Sequence, residues 1–106
     1  MTFGLPENTV EAIRRALSEC PGVEKAVIYG SRAKGTFRPG SDIDLALYGN
    51  VSEADVSALM DRLDELNTPY LFDIVRYHDI DNEALREHIE RVGQRFDATH
   101  SPYHPH

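Results

Sequence analysis

The chain has 106 residues, a formal net charge of −7, 41% hydrophobic residues and a single cysteine. That length makes one domain, and the acidic balance argues against broad nucleic-acid binding, which relies on basic surface to displace counterions. One cysteine excludes an internal disulfide. No apolar stretch approaches the roughly 20 residues needed to cross a bilayer, the start lacks a signal-peptide pattern, and a reducing cytoplasm is the simplest expected compartment.

In chain order, Val10, Ile13 and Leu17 are spaced for one helical face, and Cys20-Pro21-Gly22 stops that helix. Strand-like runs follow near residues 25–29 and 42–48, with Arg32 to Gly35 between them able to turn helically and Pro39-Gly40 returning the chain. Ser52 with Asp55 has the form of a capping box, ahead of an apolar stripe of Val56, Leu59, Leu63 and Leu66. Asn67-Thr68-Pro69 breaks that helix, residues 70–77 read as a third strand, and Asp81 caps a last helix with the stripe Leu85, Ile89, Val92 and Phe96. The order predicts an α/β (α+β) fold: a small mixed sheet of three or four strands, covered by helices mainly on one face. The connection between the second and third strands is expected to be a right-handed parallel crossover that sets Asp73 beside Asp44. Residues 1–98 are expected to form the single domain and 99–106 a flexible polar tail, whose Tyr103 is a candidate for self-modification.

The chemistry concentrates in residues 30–45, where a Gly-Ser pair leaves an apolar strand, cations follow at Arg32, Lys34 and Arg38, and Ser41 leads into Asp42-Ile43-Asp44-Leu45. Side chains alternate along a strand, so Asp42 and Asp44 share one face. Two carboxylates that close repel unless a cation lies between them, and hard oxygen ligands suit Mg²⁺ or Mn²⁺. With Asp73 on a neighbouring strand, three carboxylates can clamp two metals roughly 3.5–4 Å apart. Gly30 permits close backbone approach to a phosphate and Ser31 adds a hydroxyl donor. Arg32, Lys34 and Arg38 are read as steering a triphosphate, with Ser41 beside them. Read singly, each aspartate is a cap or a surface residue; Asp44 and Asp73 each interrupt an apolar strand pattern where Asp is disfavoured, and that favours the metal reading. Tyr48 shares the aspartate parity and is a candidate to stack near the nucleotide, whereas His78 and His88 read as surface or packing residues.

These residues resemble the DNA polymerase beta-type nucleotidyltransferase superfamily, and specifically its minimal nucleotidyltransferase branch. The matching positions are Gly30, Ser31, Gly35, Ser41, Asp42, Asp44 and Asp73, and in length and element order the resemblance covers essentially the whole chain. It implies the polymerase beta-like fold, Mg²⁺ on the three aspartates, and a nucleoside triphosphate, ATP above all, on the Gly30-Ser31 turn. Small stand-alone members resemble antitoxins paired with HEPN-domain toxins, some of which transfer AMP to a toxin tyrosine. The expected activity is transfer of a nucleoside monophosphate to a protein hydroxyl. Two alternatives stay open, a small-molecule (aminoglycoside-type) nucleotidyltransferase and a non-catalytic toxin-binding module.

Overall fold

The computed structural model describes residues 2–96, so the expectations for the tail, Tyr103 included, lie outside the described residues. The elements run α1 (Glu7–Ser18), β1 (Val23–Tyr29), α2 (Gly30–Lys34), β2 (Ile43–Gly49), α3 (Glu53–Glu65), β3 (Phe72–Arg76), a single turn of 3-10 helix (Tyr77–Asp79), α4 (Glu83–Val92) and β4 (Gln94–Arg95). The four strands form one mixed sheet in the order β3-β2-β1-β4. β1 pairs antiparallel with β2 and with β4, whereas β2 and β3 run parallel. That parallel pairing follows from the connection, since α3 must carry the chain back before β3 can begin.

Local chemistry accounts for the boundaries. The Ser52 hydroxyl accepts from the Asp55 amide while the Asp55 carboxylate accepts from the Ser52 amide, so the capping box forms at α3. At α4 the cap is Asn82 rather than Asp81: its side-chain oxygen accepts from the Leu85 amide at 3.0 Å. The α4 stripe also ends sooner than periodicity suggests. Gly93 takes an extended conformation, and a Cβ there would lie 2.3 Å from the Ile89 carbonyl oxygen and 2.5 Å from Val27 Cγ1. The chain leaves the helix at this close approach, pairs with β1 through Gln94 and Arg95, and delivers Phe96 to a different core.

The sheet separates two apolar layers. On one face Ala26, Ile28, Ile43, Leu45 and Leu47 bury against Val10, Ile13 and Leu17 of α1, Leu59 and Leu63 of α3, and Phe96. On the other, Val27, Tyr29 and Ala46 bury against Ile80 and Ile89. Two long helices thus cover one face, and α4 lies over part of the opposite face, which carries Asp44. The expected open face is in fact half roofed, because Leu85, Ile89 and Val92 need a surface and Val27, Ala46 and Val75 supply it. Ile89 is the buried residue that α4 contributes to this smaller layer. Ile89→Ala should cost about 2–5 kcal/mol of unfolding free energy, the range for truncating a buried aliphatic side chain, measured by urea denaturation.

Candidate active site

Three chain segments meet at one end of the sheet. β1 runs toward this end and finishes at Tyr29; β2 starts here after Asp42, and β3 starts here just ahead of Asp73. In the β1–β2 register Tyr29 faces Asp44, and in the β2–β3 register Asp44 faces Asp73. The parallel connection therefore places two carboxylates opposite each other on adjacent strands, with Asp42 one strand repeat earlier on the same side. Among the described residues, no hydrogen bond or ion pair engages any of the three carboxylates. Burial pushes the Asp44 carboxyl up from its usual range, and the charges of Asp73 and Asp42 push it further. Burial also raises the Tyr29 phenol to about 12, with Asp73 and Asp44 adding to the rise, so Tyr29 stays protonated beside the carboxylates.

The Gly30-Ser31 turn is pressed against this group. Gly30 has φ of +76°, and a Cβ there would sit 2.5 Å from Asp44 Oδ2. Glycine is required twice over, by conformation and by the carboxylate behind it. The Gly30 amide donates to His88 Nε2 of α4 at 3.2 Å, and the His88 ring stands edge-on to Tyr29 with centroids 6.1 Å apart. Sequence reading set His88 aside as a surface or packing residue; nothing local marks it, since its partner lies 58 residues away along the chain.

Arg32 departs most from expectation. It is 2% exposed, and its guanidinium donates to the carbonyls of Phe3 at 2.9 Å, Ser41 at 2.9 and 3.2 Å, and Pro39 at 3.4 Å. The rings of Phe37 and Tyr70 lie about it at 5.2 and 5.1 Å. These hydrogen bonds tie its guanidinium to the N-terminal segment and to the loop before β2. Ser41 belongs to the same brace: its hydroxyl accepts from the Arg38 amide at 2.8 Å. Lys34 and Arg38 remain exposed as cations free to meet an anion. Tyr48 has the right parity but stands at the other end of β2, stacked on Tyr77 at 4.4 Å with Lys25 Nζ 4.2 Å from its ring centroid.

As to metal, three carboxylates are the oxygen donors that Mg²⁺ or Mn²⁺ takes, and the pairing of Asp44 with Asp73 creates the concentration of negative charge that a divalent cation relieves. Among the described residues, no three acidic, histidine or cysteine side chains converge closely enough to hold an ion as they stand; the fit is one of donor type and backbone placement. An apolar groove of about 400 Å³ lies between α3 and the β3 edge, lined by Val56, Met60, Ile74 and Ile80 among others and by none of the three aspartates. Asp42 and Asp73 are exposed and Asp44 half-buried, with Leu71, 71% exposed, two residues before Asp73.

Two measurements follow from this geometry. Lysine has no planar fork with which to reach three carbonyls, so Arg32→Lys should cost at least about 2 kcal/mol of stability by chemical denaturation, whereas Lys34→Ala should stay within about 0.5 kcal/mol of the parent. The folded-state pKa of Asp44 is raised, so its ionised form opposes folding at neutral pH, and that penalty fades as pH falls through the raised value. In chelator at neutral pH, Asp44→Asn should accordingly melt above the parent, and the gap should close as the medium is acidified.

Comparison with known proteins bears on the fold and the family. The family described as "Polymerase beta, Nucleotidyltransferase" matches residues 11–96. Among curated proteins, none matches the sequence. A solved structure described as a candidate minimal nucleotidyltransferase superposes with a TM-score of 0.66 at 28% identity, covering 85% of this chain and 95% of its own. A chain from a toxin–antitoxin complex with AMP-PNP superposes with a TM-score of 0.66 at 22% identity, over 90% of this chain and 75% of that one. A chain from a tri-AMPylated Shewanella oneidensis HEPN toxin in complex with its MNT antitoxin gives 0.64 at 17% identity, over 88% and 72%. The last two likenesses are of fold. The family match spans all four strands and the aspartate segments, and on it this chain belongs to the polymerase beta nucleotidyltransferase family.

Proposed function

We propose that the chain transfers a nucleoside monophosphate, AMP from ATP, to a hydroxyl of a partner protein, a tyrosine of a HEPN-type toxin, and so acts as an antitoxin. The observation that carries the reading is the register of Asp44 against Asp73 with the Gly30 backbone packed on Asp44. A triphosphate cradle and a carboxylate group are thereby adjacent, as nucleotidyl transfer requires, because that chemistry needs positioning and charge neutralisation more than covalent help. The likeness in fold to chains from toxin–antitoxin complexes, one with AMP-PNP and one with an AMPylated toxin, supports this choice of nucleotide and partner.

Each residue takes a role consistent with its place. Asp42 and Asp44 would hold Mg²⁺ together with the triphosphate, and Asp73 would complete the set on the acceptor side. Divalent metal bound there neutralises the phosphates and acidifies an attacking hydroxyl. Ser31 donates its hydroxyl to a phosphate oxygen, and Lys34 and Arg38 lie exposed on the same loop to attract the anion. Asp73, exposed on the outermost strand, is the carboxylate an incoming hydroxyl meets first and the group placed to take its proton. Tyr29, protonated beneath, keeps the floor of the site uncharged. A protein acceptor suits a site two of whose carboxylates, Asp42 and Asp73, stand exposed.

The test is to incubate the chain with each of the four nucleoside triphosphates and Mg²⁺, with and without a co-encoded helical partner, and to weigh the products. The expected result is AMP on a partner tyrosine. Ser31→Ala should raise the nucleotide requirement by roughly one to two decades, and Asp73→Asn should spare nucleotide binding while abolishing transfer. Modification of an aminoglycoside in place of the partner, or tight association with no modification, would overturn the proposal.

A further inference from the structure

We infer that His88 is a positioning residue of the nucleotide site: its Nε2 fixes the Gly30 peptide and so holds the Gly30-Ser31 turn against Asp44. The inference rests on the reading of that turn as the triphosphate cradle. Its geometry is independent of that reading. The Gly30 backbone is wedged, with the Asp44 carboxylate filling the space where a Cβ would be and the His88 ring receiving the amide proton at 3.2 Å. Accepting that proton requires a neutral ring with its own proton on Nδ1. Tyr29, the residue before the turn, packs edge-on against the same ring. His88 is also anchored from behind, because the next residue, Ile89, is buried in the layer between α4 and the sheet.

Two consequences follow for the site. With its amide committed to His88, Gly30 does not donate to phosphate, and the donors of the cradle begin at Ser31. Glycine has the freest backbone of the residue types, and Gly30 takes a positive φ; the imidazole fixes the orientation of its peptide and thereby the start of the turn that carries Ser31. α4 therefore belongs to the active site through one side chain, although no motif residue lies on it.

The experiment compares three variants of the full chain. His88→Gln carries an amide oxygen at about the reach of Nε2 and keeps the acceptor; His88→Leu keeps bulk and removes it; His88→Asn keeps polarity but is too short to span to Gly30. Two readouts are taken: hydrogen-exchange protection of the Gly30 amide without nucleotide, and affinity for ATP with Mg²⁺ by calorimetry. Protection should be lost in the Leu and Asn variants and kept in Gln. Affinity should fall roughly three- to tenfold in the first two, the cost of one neutral hydrogen bond, and recover in Gln. Loss of Gly30 protection in all three, or in none, overturns the hydrogen-bond assignment. Altered protection with equal ATP affinity throughout overturns the positioning role alone. A parent chain that binds no nucleotide brings down the functional reading and the positioning role with it, a result distinct from the other two because it is seen before any substitution.

Discussion

The parallel pairing of β2 with β3 sets one constraint from which much of the site follows, because it places Asp44 directly opposite Asp73. Like charges across adjacent strands oppose pairing, and here one of them is half-buried, which raises the Asp44 carboxyl. The sheet tolerates this because the other face of the same strands is fully apolar: Ile43, Leu45 and Leu47 are each 0% exposed. Burial there holds the register, since a slip by one residue would send all three side chains to the wrong face. The charge concentration is thus maintained by apolar packing on the far side of the strand, and the site is held under electrostatic tension that a cation would relieve.

The supports of the site lie outside its motif. Arg32 collects three backbone carbonyls from two separate segments, the N-terminal Phe3 and the loop at Pro39 and Ser41. A buried guanidinium is costly unless its hydrogen bonds are made, and in this setting they fix the approach into β2. His88 holds the turn packed on Asp44 through the Gly30 amide. The segments that carry the carboxylates are therefore tied by two long-range anchors, one cationic and one aromatic.

What was legible in the sequence and what was not divide along the same line. Alternation around Asp42 and Asp44, the apolar frame of Asp73 and the helix between them were enough to expect a parallel neighbour, because those signals are local and periodic. The capping box at Ser52 was legible for the same reason. Arg32 was misread because a cation beside a Gly-Ser turn carries the same sequence signal whether it faces phosphate or is buried under Phe37 and Tyr70. Which of these holds depends on where the carbonyl of Phe3 arrives, 29 residues away. Tyr48 had the right face but the wrong end of its strand, since parity gives no position along the axis. β4, only two residues long, offers no periodicity, and Phe96 was assigned to a helix that the tight contact at Gly93 ends.

Among the described residues β3 is an edge strand, with β2 on one side and no strand on the other, and Asp73 stands on it. For an acceptor approaching at Asp73 as proposed, selection would occur largely during encounter, because among the described residues no strand stands beyond β3 to test its shape. Two protein surfaces finding one productive orientation by diffusion typically associate at about 10⁵–10⁷ M⁻¹s⁻¹, so the concentration and nearness of the acceptor, more than fit within a cavity, would govern which hydroxyl is modified. Discrimination is thereby passed from the interior of the molecule to its surroundings.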